Sequence, residues 1–81
     1  MKTMKYVLNT DTLKFVIFPL SMAHSDINGN WTNAGFVLFS TIKNRDGEDI
    51  LLTSCYGESF STKLRSGEDD SNIIRAQMND E

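Results

Sequence analysis

The sequence predicts an α+β domain: a mostly antiparallel sheet of about five strands with one C-terminal helix. Three observations predict it. Residues 34–64 read AGFVLFSTIK, NRDGED, then ILLTSCYGESFSTKL, so two apolar segments flank an Asp46-Gly47 turn and a third follows Gly57. Ahead of them, two apolar runs are separated by Asn9-Thr10-Asp11, residue types that favour tight turns. Behind them, Ser66 precedes Glu68-Asp69-Asp70 and a narrow apolar stripe, the pattern of a helix start.

Taken in order, strands are expected at 4–9 and 12–18. The second is apolar on both faces through Phe15-Val16-Ile17-Phe18, and Pro19 ends it because proline has no N–H for the ladder. Residues 20–33 form a long loop in which Ser21 is placed to cap a helical turn through Met22, Ala23 and His24, and Trp31 to pin the loop to the sheet. Loops of this length in compact domains often carry function. Strands at 34–43 and 49–56 then form a hairpin. A type I′ turn at Asp46-Gly47 would pair Ile42 with Leu51, Leu38 with Cys55 and Phe36 with Gly57. One face would carry Phe36, Leu38, Ile42, Leu51 and Cys55, and the other Val37, Phe39, Ile50, Leu52 and Tyr56. The alternation of Phe60, Thr62 and Leu64 with Ser59, Ser61 and Lys63 suggests a half-solvated fifth strand at 58–64. A helix at 67–78 follows, with Ser66 as N-cap, Asp69 as its capping partner, and a stripe of Ile73, Ile74, Ala76 and Met78.

The chain's 81 residues suit one domain, 1–81, with a small core. One cysteine excludes an internal disulfide, and one histidine excludes a Cys/His zinc cluster, so no metal or cofactor is expected. The net charge is −3, and no basic stripe suits nucleic acid. No stretch approaches the roughly 18 apolar residues of a membrane span, and the first residues do not read as a signal peptide. A cytoplasmic setting with reduced Cys55 follows as the expectation. The central strands are apolar on both faces, while one narrow helix can cover only one. Uncovered patches of a few hundred Å² are rare on monomers, which predicts a homo-oligomer whose interface includes Val37, Phe39, Leu52 and Tyr56. A barrel-like curl within one chain is the alternative.

The residues offer little catalytic chemistry. His24, Ser25 and Asp26 are adjacent and point in different directions, so they make no triad. Cys55 lies mid-strand among apolar neighbours and reads as a small buried hydrophobe. The loop bearing His24 leads to the corner where Asn33-Ala34-Gly35 should meet Tyr56-Gly57-Glu58-Ser59. His24, Asn33, Gly35, Glu58 and Ser59 are therefore the candidates for binding a small polar ligand, or for holding the loop in place.

In these residues the chain resembles a group of small proteins encoded by phages and integrated mobile elements. The likeness rests on His24, Asn33-Ala34-Gly35-Phe36, Gly57-Glu58-Ser59, Leu64-Arg65-Ser66 and Glu68-Asp69, within 20–78. The chain departs from the group in having Asn33 where it has serine and Gly67 where it has proline. The group has no established activity, so the resemblance implies context alone: an accessory protein in a bacterial host cytoplasm. A non-catalytic binder that sequesters a small polar, nucleotide-like ligand in counter-defence is the first expectation. A protein–protein inhibitor or adaptor of a host protein is the second, and a structural oligomer without ligand the third.

Overall fold

A computed structural model describes residues 2–78. Four strands, β1 (Lys2–Asn9), β2 (Lys14–Phe18), β3 (Asn33–Lys43) and β4 (Asp49–Tyr56), form one antiparallel sheet in the order β2-β1-β3-β4. Helix α1 (Asp70–Met78) closes the described chain. The α+β class and the C-terminal helix are as the sequence predicts; the strand count is four, not five.

The missing strand is residues 58–64. Gly57 turns the chain with φ +81°, and Ser59 then closes a local loop. Its hydroxyl accepts the Thr62 N–H, and its carbonyl accepts the Lys63 N–H. Serine side chains that bond nearby backbone compete with a ladder, and here they win. An isolated bridge of Glu58 with Arg65 instead closes the segment on itself.

The β3–β4 register differs by one residue from expectation. Phe36 pairs with Tyr56, Val37 with Cys55, Leu38 with Ser54 and Ile42 with Ile50. The cause is Asn44. Its side-chain oxygen accepts the N–H groups of Asp46 and Glu48, which builds a three-residue loop with Gly47 at φ +79° in place of the two-residue turn. A one-residue shift moves every β4 side chain to the other face. Val37, Phe39 and Cys55 therefore share the face under α1, and Leu52 and Tyr56 lie on the opposite face with Phe36 and Leu38. The four residues expected in one interface do not share a face.

The two faces are covered differently. Under α1, Tyr6, Leu8, Val37 and Ile74 are fully buried, with Met4, Phe15, Ile17, Phe39, Cys55 and Ile73 packed around them. On the opposite face the loop of residues 19–32 covers one end, where its Ile27 and Trp31, joined by Leu64 from the segment after β4, pack on Val7, Phe18 and Ala34. Trp31 Nε1 donates to the Ile27 carbonyl at 3.0 Å, which pins that loop. The helical turn within it is His24–Asp26, entered from Ala23, because Asp26 Oδ2 accepts the Ala23 N–H; Ser21 caps nothing.

Helix α1 also starts later than expected. Asp70 reaches back to the Gly67 N–H at 2.8 Å, so Gly67 and Asp70 take the capping positions that the sequence suggests for Ser66 and Asp69. Of the expected stripe, Ile74 is buried and Ile73 half-buried, while Ala76 and Met78 face solvent.

Candidate functional site

The sheet's register places Lys5 of β1 beside Phe36 of β3 on the face opposite α1. The turn holding Ala23 and His24 comes down on one side of this pair, and the 58–61 loop on the other. Together Lys5, Ala23, His24, Phe36, Glu58, Ser59, Phe60 and Ser61 line a pocket of about 250 Å³.

His24 forms the floor. It is buried, and Nε2 donates to the Gly35 carbonyl at 2.8 Å. A carbonyl only accepts, so this bond assigns the proton to Nε2 and leaves Nδ1 as the second ring nitrogen. The rings of Phe18 and Phe36 meet His24 edge-on at centroid distances of 5.5 and 5.8 Å. Phe36 stacks in turn on Tyr56 at 5.8 Å. Such aromatic contacts fix ring orientation beyond simple burial.

The rim is polar. Lys5 Nζ donates to the Met22 carbonyl at 2.7 Å, which uses one of its three donors and holds the ammonium at the mouth. Ser59 is buried, and its hydroxyl lies 3.3 Å from that of Ser61. Glu58 is exposed, with its backbone fixed by the bridge to Arg65. Phe60 stands at the loop tip with 89% of its surface exposed. A phenyl ring this bare gains nothing from the fold that holds it.

Of the five candidates read from the sequence, His24, Glu58 and Ser59 line this pocket, and Asn33 and Gly35 do not. Gly35 contributes its carbonyl to His24, and its own Cα faces the β4 backbone. A Cβ there would lie 2.5 Å from the Tyr56 carbonyl oxygen, so close backbone approach accounts for this glycine. Asn33 projects to the other face of the sheet, where Nδ2 donates to Asp70 Oδ1 at 2.7 Å.

That second location is a buried polar cluster which sequence reading missed. Asp70 is 1% exposed and accepts from Tyr6 Oη at 2.5 Å, from Asn33 Nδ2 and from the Gly67 N–H. Burial, reinforced by the bond to Asp70, pushes the Tyr6 phenol well above its usual range. Burial likewise pushes the Cys55 thiol up, with the Asp70 charge adding to it and a hydrogen bond from Ser71 opposing it. A raised thiol is a poor nucleophile, so the cluster is a structural latch from helix to sheet. Asn33 and Gly67 also meet here. A Cβ at Gly67 would lie 2.6 Å from Asn33 Nδ2.

The pocket residues that escaped sequence reading carried weak signals. Lys5 is a charge between Met4 and the apolar run Tyr6-Val7-Leu8, and Phe60 is an aromatic between two serines. A larger hollow of about 360 Å³ lies on the outer side of α1, lined by Leu13, Asp69, Asn72, Ile73, Ala76 and Gln77. Its polar side chains, Asp69, Asn72 and Gln77, include no cation, and its lining has no aromatic ring. No helix among the described residues is long and apolar enough to cross a membrane. No family model, curated protein or solved structure matches the chain.

Proposed function

We propose that this protein is a non-catalytic binder that sequesters a small nucleotide-like ligand in the His24–Glu58–Ser59 pocket. The observation that carries the reading is the exposed Phe60 ring beside an ammonium, a carboxylate and two hydroxyls around one hollow. Each part has a matching ligand group. A bare ring offers a stacking platform for a base, worth about 1–3 kcal/mol per base. The two remaining Lys5 donors suit a phosphate as a point charge. Glu58 accepts from base amino or ribose hydroxyl groups, and Ser59 and Ser61 complete the polar rim. At about 250 Å³ the pocket lies just under the roughly 300–1,000 Å³ of sites that engulf a ligand, which suits a mononucleotide with one side in solvent.

The arrangement favours binding over chemistry. Ser59 Oγ is engaged by the Thr62 N–H and Ser61, His24 Nε2 is engaged by Gly35, and among the described residues no hydrogen bond joins His24 to Ser59 as a base would be joined to its nucleophile. The resemblance to phage and mobile-element proteins supports an accessory role in a bacterial cytoplasm, with capture of a host defence signal as the biological use. Isothermal titration with ribonucleoside monophosphates and cyclic nucleotides tests the reading. We expect saturable binding to at least one, weakened at least about tenfold by Phe60→Ala and by Lys5→Ala, each such loss corresponding to about 1.4 kcal/mol. Absence of binding across the panel refutes it. A second reading, an inhibitor or adaptor of a host protein, is favoured by the same Phe60 together with Tyr56, 48% exposed and stacked on the pocket residue Phe36. A stoichiometric host protein captured by the wild type and lost with Phe60→Ala, without nucleotide binding, would support it instead.

A further inference from the structure

β4 is an edge strand, and its free side has a defined length. Cys55 gives its N–H to Ser71 Oγ at 2.7 Å, so that group points away from β3. Strand geometry alternates with period two, so the N–H and C=O groups of Thr53, Leu51 and Asp49 point the same way. The hairpin confirms this phase, because the Asn44 N–H donates inward to the Glu48 carbonyl and the even-numbered pairs follow from it. Ser71 blocks the ladder at Cys55, which leaves the backbone groups of Asp49, Leu51 and Thr53 on this side as a row without hydrogen-bond partners among the described residues, with Thr53 itself 8% exposed.

Sheet edges are normally guarded by proline, lysine, bulges or short length. The opposite edge, β2, has five residues, begins at Lys14 and is closed by Pro19. β4 has none of these over Ile50–Tyr56 and carries no charge there. Ile42 and Ile50, paired on one face at this end, are 49% and 37% exposed.

We propose that the β4 edge pairs antiparallel with β4 of a second copy of this chain, about a two-fold axis at Leu51. Five registers place at least one open residue opposite another, but only this one uses every open N–H and C=O of Asp49, Leu51 and Thr53 in both copies. Leu51 then faces its own copy, and Ile50 faces the partner's Leu52, so the apolar side chains match. Asp49, already paired with Lys43 at 3.0 Å, lies opposite an uncharged threonine, and no like charges meet. In a chain of net charge −3, its own neutral strand is the complement that this edge fits best. The axis stands perpendicular to the sheet, so the two sheets join into one with both helices on the same side. An edge-only contact falls in the small, transient class of interfaces, so the dimer is weak and concentration-dependent.

Two measurements on the intact chain test this. In the wild type, amide exchange at Leu51 and Thr53 should slow at least about tenfold between low micromolar and millimolar protein, while Ile50 and Leu52, already in the ladder, change less. In a Cys55→Ala background, mild oxidation should crosslink Leu51→Cys to a dimer, since opposed residues sit about 5.5 Å apart at Cα, within disulfide reach. Ser54→Cys, exposed but off the axis, should stay monomeric. Exchange independent of concentration at both amides overturns the proposal whether or not the cysteine variants fold. Equal crosslinking at Leu51→Cys and Ser54→Cys overturns the register.

Discussion

Replacing Gly67 with alanine should cost stability when residue 33 is asparagine and be close to neutral when it is serine. In the wild type, the new Cβ would sit 2.6 Å from Asn33 Nδ2 and 3.1 Å from Asp70 Oδ1. The amide must swing away, and its 2.7 Å bond to the buried Asp70 is lost. A hydrogen bond to a charged group is worth about 1.5–3 kcal/mol. Gly67 is not among the positive-φ glycines, so alanine fits its backbone and stiffens the unfolded chain by about 0.4–1 kcal/mol in favour of folding. The net expectation is a loss of about 1–2 kcal/mol. With Asn33→Ser already in place, the shorter side chain clears the space and only the slight crowding of Asp70 remains. Gly67→Ala should then fall within about 0.5 kcal/mol of neutral. Urea denaturation of the wild type, both single variants and the double variant closes the cycle, with a coupling energy of about 1–2 kcal/mol. Equal costs of Gly67→Ala in the two backgrounds would refute the reasoning, because the clash would not be with Asn33.

Other expectations follow from buried groups and strained positions. Thr53 Oγ1 is the buried side-chain polar atom without a partner among the described residues, so Thr53→Val should raise stability by about 1 kcal/mol in a thermal melt. Gly35→Ala should cost about 1–3 kcal/mol in urea, since its Cβ meets a backbone carbonyl that only a shift of β4 can move. Tyr6→Phe should cost about 1.5–3 kcal/mol by removing a donor to a buried carboxylate. Because folding raises the Tyr6 and Cys55 pKa values, the unfolded chain gives up these protons first. Their stabilisation is complete below the ordinary thiol range near 8.5 and falls as pH rises through it and past the phenol range near 10. Denaturation midpoints from neutral to alkaline pH should fall for the wild type and flatten in a Tyr6→Phe/Cys55→Ala variant; a flat wild-type profile would contradict this.

The sheet, its hairpins and the helix were legible because they rest on long apolar runs and on turn residues at their ends. What was not legible depended on single side chains acting on nearby backbone. Asn44 chose a three-residue loop over the Asp46-Gly47 turn, and that one choice reversed the faces of β4. Ser59 did the same to the expected fifth strand. Asp70 read as one of three acidic residues at a helix start, and nothing in its spacing signals that it alone turns inward to Tyr6. At the candidate site, loop connectivity was enough to bring His24 near Glu58 and Ser59. It was not enough to place Asn33, whose direction follows from the β1–β3 register, in which Asn33 sits opposite Leu8 on the helix face.

The central claim is that the Lys5–His24–Phe60 pocket holds a nucleotide-like ligand, and its most direct test is a two-dimensional amide NMR titration with ribonucleoside monophosphates and cyclic nucleotides. Saturable shifts are expected for at least one compound, concentrated at Lys5, Ala23, His24, Phe36 and the amides of residues 58–61, and abolished by Phe60→Ala in a chain whose remaining spectrum is unchanged. Shifts confined to the outer side of α1, or none for any compound, would contradict it.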